Sequence, residues 1–127
     1  MTRVLIVDDH PIVREGLVAA LHGKGEIEVL GGFGSAEEGI AAAARLRPDV
    51  VILDLELPGM SGLDAIARFD APVLMLTAYG TDEEIESALA AGAKGYLLKG
   101  APLDDIERAI AAVSRGESYL DSRVTSQ

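Results

Sequence analysis

Five side chains able to do chemistry stand where apolar runs of this chain end. Asp8 and Asp9 follow Val4-Leu5-Ile6-Val7, Asp54 follows Val50-Val51-Ile52-Leu53, Thr77 follows Val73 to Leu76, and Lys99 follows Tyr96-Leu97-Leu98. Runs this apolar read as strands buried on both faces of a parallel sheet, and ligands of such sheets gather outside the carboxyl ends of the strands. The five residues are therefore expected to meet at one end of the sheet. Two carboxylates about 5 Å apart repel by roughly 3 kcal/mol at an effective dielectric near 20, so a balancing cation is expected. Oxygen donors without histidine or cysteine suit a hard ion, Mg2+ first and Mn2+ as a substitute. A carboxylate beside such an ion, an ammonium group and a hydroxyl is equipped to receive a phosphoryl group. In that chemistry Asp54 attacks in line, the ion and Lys99 neutralise charge on the phosphoryl oxygens, Thr77 offers its hydroxyl, and the small Ala78 leaves a donor room.

The elements that must position these groups alternate along the chain as strand and helix, the pattern of repeated βαβ units. Arg3 to Val7 reads as the first strand. Pro11 opens a helix in which Val13, Leu17, Ala20 and Leu21 share a face before Gly23 and Gly25 end it. Ile27 to Phe33 is the second strand, and Ser35 with Glu38 predicts a capping box on a helix reaching about Leu46, stopped by Pro48. Val50 to Leu53 is the third strand. Pro58-Gly59-Met60-Ser61-Gly62 is a turn cluster before a short helix from Leu63 to Phe69. Val73 to Leu76 is the fourth strand, Asp82, Glu83 and Glu84 crowd the start of the next helix, and Gly92 ends it. Tyr96 to Leu98 is the fifth strand. Pro102 starts a last helix whose Leu103, Ile106, Ile110 and Val113 form an apolar stripe, and Gly116 ends it.

Right-handed crossovers among five parallel strands predict the order 2-1-3-4-5, a doubly wound α/β sheet with helices on both faces. That order sets the first and third strands side by side, so Asp8, Asp9 and Asp54 face one another. The domain is expected to span 1–116. Residues 117–127 read as a polar tail, apolar only at Tyr119, Leu120 and Val124, that frays or begins a linker.

Composition narrows the function classes. The chain has no cysteine, which excludes disulfides, thiolate metal sites and cysteine nucleophiles. Eleven basic against twenty-one acidic residues give a net charge of −10, and so acidic a surface repels phosphate backbones. Nucleic-acid binding by this segment alone is not expected. No apolar run approaches the roughly 20 residues that span a bilayer, so a soluble cytoplasmic protein with no membrane partner is expected. His10 reads as a residue at the start of the first helix, near the site and not a ligand; His22 reads as surface. Gly31-Gly32-Phe33-Gly34 lacks the spacing of a dinucleotide fingerprint and reads as a turn.

Four stretches carry a family resemblance: Val7-Asp8-Asp9-His10-Pro11 with Arg14-Glu15-Gly16-Leu17, Asp49 to Asp54 with Leu57-Pro58-Gly59-Met60-Ser61-Gly62, Leu76-Thr77-Ala78, and Gly92 to Lys99. In order and spacing they resemble the response-regulator receiver domain of bacterial two-component signalling, LuxR/NarL-like subgroup, over nearly the whole chain to about Leu120. The resemblance implies a flavodoxin-like receiver fold in which Asp54 takes phosphate from a histidine kinase. It implies that Asp8, Asp9 and Asp54 hold Mg2+ with the backbone carbonyl of Glu56, and that Thr77 and Tyr96 form a switch pair. Thr77 moves toward the phosphate and Tyr96 turns into the space it leaves.

The resemblance further implies that the domain assists its own Mg2+-dependent phosphorylation and dephosphorylation, that a homodimer forms on activation, and that transcription is regulated through a helix-turn-helix domain absent from this chain. Control of phosphate lifetime is expected at Glu56 and Tyr79, beside the mouth of the site. Two departures stand out. The segment from Leu63 to Pro72 is about a turn short, and Gly100 follows Lys99 where many receivers have a proline with a cis bond, which leaves the isomer open. Two other classes compete: a hydrolytic phosphatase, since Asp54-Leu55-Glu56 echoes the paired acids of haloacid-dehalogenase-like enzymes, and an interaction module that ignores phosphate.

Overall fold

The computed structural model describes residues 1–78 and 80–121. Six parallel strands form one sheet: β1 (Thr2–Val7), β2 (Ile27–Phe33), β3 (Val50–Leu53), β4 (Val73–Thr77), β5 (Gly95–Leu98) and β6 (Tyr119–Leu120), in the order β2-β1-β3-β4-β5-β6. The helices are α1 (Pro11–Leu21), α2 (Ala36–Leu46), α3 (Gly62–Ala65), α4 (Asp82–Ala90) and α5 (Leu103–Ser114).

The strands are apolar throughout because both faces are covered. Alternate residues of β1 go to opposite sides: Val4 and Ile6 join Leu21 of α1 and Ile106, Ile110 and Val113 of α5. Leu5 and Val7 join Ala36 of α2, Ala65 of α3 and Ile85 of α4. Burying each such aliphatic side chain contributes about 1.5–3 kcal/mol, so the central strands form the most costly part of the fold to disturb. Register then places the chemistry. Val4 pairs with Val50 and Val7 with Leu53, so β1 and β3 end level and Asp8 and Asp54 follow as neighbours.

Two local features differ from the sequence expectation, and the Lys99-Gly100 isomer, which the sequence left open, is settled. The short helix expected over Leu63 to Phe69 is a single α turn, Gly62–Ala65, that tightens into a 3-10 turn at Ile66–Arg68. Ser61 caps it by accepting the Asp64 N–H, and Phe69 is already extended. All described peptide bonds are trans, and the chain turns after Lys99 through Gly100 at φ 92°, a conformation that costs glycine no steric strain.

The second difference is the sixth strand. Tyr119 and Leu120, placed in the polar tail by the sequence, pair in parallel with Gly95 and Tyr96. Two residues are too few for a periodic signal; tertiary bonds define them. The Asp121 N–H donates to the Tyr96 carbonyl at 2.9 Å, and its buried carboxylate accepts the Leu98 N–H at 3.1 Å. Val124 lies outside the described residues. Asp121→Ala is expected to cost about 1–2 kcal/mol, the desolvation of a buried donor that loses an acceptor, and Asp121→Asn to recover most of it. Urea unfolding checks this; equal midpoints for all three chains would remove Asp121 from the fold's support.

Candidate functional site

The acidic pocket is assembled by backbone bonds before any side chain is considered. The Asp8 N–H donates to the Phe33 carbonyl at 2.9 Å and the Asp54 N–H to the Val7 carbonyl at 3.0 Å, so both residues are fixed where β1 and β3 leave the sheet. The Lys99 N–H donates to the Thr77 carbonyl at 2.6 Å, which fixes the ends of β4 and β5 in the same way. A Cβ on Gly62 would stand 2.9 Å from the backbone of Leu55, so only glycine lets the turn after β3 close beneath Asp54.

Within this frame Asp8, Asp54 and Thr77 are buried. Lys99 bridges the two carboxylates: its Nζ lies 2.8 Å from Asp8 Oδ2 and 3.0 Å from Asp54 Oδ2. Asp9 stands at the opening, partly exposed. His10, read from the sequence as a bystander, turns its ring into the pocket. Its Nδ1 is 3.0 Å from Asp8 Oδ1, 3.2 Å from Asp9 Oδ1 and 3.8 Å from Asp54 Oδ2. Outside lies an open depression of about 600 Å3, whose walls include Asp9, His10, Glu56, Pro58 and Glu84. Tyr79, the other residue expected at the mouth, lies outside the described residues.

One ammonium between two buried carboxylates cannot balance both, and their pKa values part accordingly. Burial pushes the Asp8 carboxyl up, but hydrogen bonds from Lys99 and from the His10 backbone and ring, with the Lys99 charge, outweigh it and leave it below 3.8. For Asp54, burial joined by the charge of Asp8 prevails over Lys99 and the Glu56 N–H and holds the carboxyl above 3.8. Burial would lower Lys99, but its bonds to Asp8 and Asp54 and their charges keep it above 10.5. The pocket is short of positive charge at Asp54.

That shortage is the test of whether these residues fit a divalent ion. The ligand atoms of Asp8, Asp9, His10 and Asp54 lie within 4.8 Å of one another. Asp9 Oδ1 is buried with no hydrogen-bond partner among the described residues, since His10 at 3.2 Å is out of line. An orphaned carboxylate oxygen beside two other carboxylates matches the all-oxygen donor set of Mg2+.

Tyr96 is fully buried on the face of the sheet that carries α2, α3 and α4. Its hydroxyl has no hydrogen bond among the described residues, and burial, with the charges of Glu84 and Asp54, pushes it up to about 12. Space for the ring end comes from Gly80, where an added Cβ would overlap the Tyr96 hydroxyl. Sequence reasoning missed this pairing because Gly80 carries no side-chain signal. Gly80→Ala is therefore expected to drive Tyr96 outward, read as several-fold stronger quenching of tyrosine fluorescence by iodide; unchanged quenching would show that the β4–α4 loop yields instead.

Residues 4–111 match the family model described as the response regulator receiver domain. The chain is 39% identical over 132 residues to the transcriptional regulatory protein LiaR of Bacillus subtilis, covering 100% of this chain and 63% of that protein. It is 40% identical over 131 residues to the DNA-binding transcriptional activator DevR/DosR of Mycobacterium tuberculosis, covering 99% and 60%. The chain thus spans somewhat under two thirds of the length of these relatives. Among solved structures, a LuxR-family two-component response regulator from Aurantimonas sp. SI85-9A1 superposes with a TM-score of 0.92 at 30% identity, covering 99% of this chain and 94% of that one.

Proposed function

The chain belongs to the response regulator receiver family, and from that premise we propose that it is a phosphorylation-controlled switch with Asp54 as phosphoacceptor. The observation that carries the reading is the buried Asp8–Lys99–Asp54 bridge with an orphaned Asp9 oxygen beside it. Asp8, Asp9, Asp54 and the Glu56 carbonyl would hold Mg2+, or Mn2+ in its place, and the bound ion supplies charge neutralisation for phosphoryl oxygens.

The chain's own residues do the rest. An Asp54 carboxylate oxygen forms the new bond to phosphorus as the bond from phosphorus to the donor breaks; from a kinase phosphohistidine the imidazole nitrogen leaves, and from acetyl phosphate acetate leaves. Lys99, 3.0 Å from Asp54, is placed to hold a phosphoryl oxygen as charge develops. Thr77, at the end of β4, offers its hydroxyl to another. The Thr77 shift then alters the space around Tyr96, already buried here, and the face formed by α4, β5 and α5 carries the two arrangements. Attack of water on the phosphorus within the same pocket, breaking its bond to the Asp54 oxygen and releasing inorganic phosphate, would give the domain its own dephosphorylation.

In a full-length regulator the chain would continue from β6 toward a helix-turn-helix output domain, as the lengths of its relatives suggest, with a cognate histidine kinase as cytoplasmic partner and a homodimer as the activated form. Among the described residues no helix is long and apolar enough to cross a membrane. The experiment is solution mass with Mg2+ and beryllofluoride. A shift from monomer to dimer is expected in the native chain and not in Asp54→Ala; an unchanged mass and unchanged spectrum would favour the passive interaction module.

A further inference from the structure

The ring of His10 stands among the oxygens that an ion would bridge. His10 is the N-cap residue of α1, makes no side-chain cap bond, and points its Nδ1 at three carboxylates and, at 3.5 Å, at Lys99 Nζ. Carboxylate oxygens only accept, so the tautomer that serves Asp8 carries its hydrogen on Nδ1, and the 3.5 Å approach of Lys99 Nζ, itself only a donor, is then a contact and not a hydrogen bond. That single N–H serves Asp8 Oδ1 at 3.0 Å and leaves Asp9 Oδ1 without a bond. The imidazole is thus an incomplete substitute for a cation: one donor for an arrangement with several acceptors. Magnesium takes oxygen ligands and water in preference to imidazole, so the ring and the ion are alternatives for the same oxygens. Among the described residues the ring's polar contacts are all on the pocket side, and its side chain is 59% exposed, which leaves solvent as the direction in which it can turn.

We propose that His10 competes with the divalent ion for the Asp8, Asp9 and Asp54 oxygens, so that its imidazole must swing out for the ion to enter. The residue thereby sets the ion concentration at which the site becomes competent. This rests on the reading of the acidic pocket as an ion site. Because the ring supports the ion-free pocket and contributes nothing once displaced, removing it destabilises the first state and leaves the second unchanged.

Isothermal titration with Mg2+ alone tests this on the native chain, His10→Ala and His10→Gln. His10→Ala is expected to bind Mg2+ about fivefold more tightly, the equivalent of one hydrogen bond the ion no longer displaces, and His10→Gln, which keeps an N–H donor, to fall between. Thermal unfolding gives a second readout. Without ion His10→Ala melts below the native chain, and with saturating Mg2+ the two coincide. Unchanged affinity in His10→Ala would make the ring a bystander, and weaker affinity would make it a ligand; either overturns the proposal while leaving the ion site intact. If the native chain shows no Mg2+ binding, the ion site and the proposal fall together.

Discussion

Asp54→Asn gains no phosphate from acetyl phosphate and Mg2+ under conditions in which the native chain gains one, and it unfolds at a higher urea concentration than the native chain. The two expectations come from one geometry. An amide has no anionic oxygen to attack phosphorus, so uptake is lost outright and not merely slowed. Yet burial and the neighbouring Asp8 charge hold the Asp54 carboxyl above 3.8, which means that the folded chain disfavours its ionised form. A neutral side chain of the same shape removes that penalty. Intact mass spectrometry and urea titration read the two effects on the same preparation. Phosphate on the variant would mean that a different residue is the nucleophile; a lower midpoint would mean that the Lys99 bridge stabilises more than the Asp8 charge costs.

Lys99→Met is expected to do the opposite to stability, lowering it by about 3 kcal/mol near neutral pH, because breaking a buried pair leaves carboxylates without their counter-charge. The pH profile follows from the directions of the shifts. Asp8, held below 3.8, contributes stability that is complete above 3.8 and lost as pH falls through its folded value. Lys99, held above 10.5, contributes stability that is complete below 10.5 and lost as pH rises through its folded value. Asp54 acts in the other sense, costing stability when ionised and releasing that cost on acidification. The deficit of Lys99→Met is therefore largest between these limits and shrinks toward both, and Mg2+ should recover part of it by supplying the missing charge. A deficit constant with pH would assign Lys99 a packing role alone.

How much of this was legible in the sequence depended on length of signal. Strands β1, β3, β4 and β5 announce themselves as apolar runs, and a parallel sheet forces their carboxyl ends together, so Asp8, Asp54, Thr77 and Lys99 could be expected at one place before any fold was known. The two residues of β6 carry no period and are strand because the Tyr119 N–H donates to the Lys94 carbonyl and Asp121 binds Tyr96 and Leu98. The tightening of α3 into a 3-10 turn depends on the few residues available between Ser61 and Pro72. Start signals were clearer: Ser35 accepts the Glu38 N–H as its spacing implied. Thr81 with Glu84 forms a full capping box whose spacing was equally present in the sequence, hidden among the acids that suggested only a dipole effect. His10 shows the limit of pattern. Its position beside Asp9 is local, but the direction of its ring is set by three carboxylates from two strand ends and by Lys99, which no spacing rule contains.

The most direct measurement is tandem mass spectrometry of the native chain after acetyl phosphate treatment, with and without chelation of divalent ions. One phosphoryl group on Asp54, absent after chelation, is the expected result. Phosphate located on another residue, or incorporated equally when the ions are removed, would contradict an ion-assisted acceptor built from Asp8, Asp9, Asp54 and Lys99.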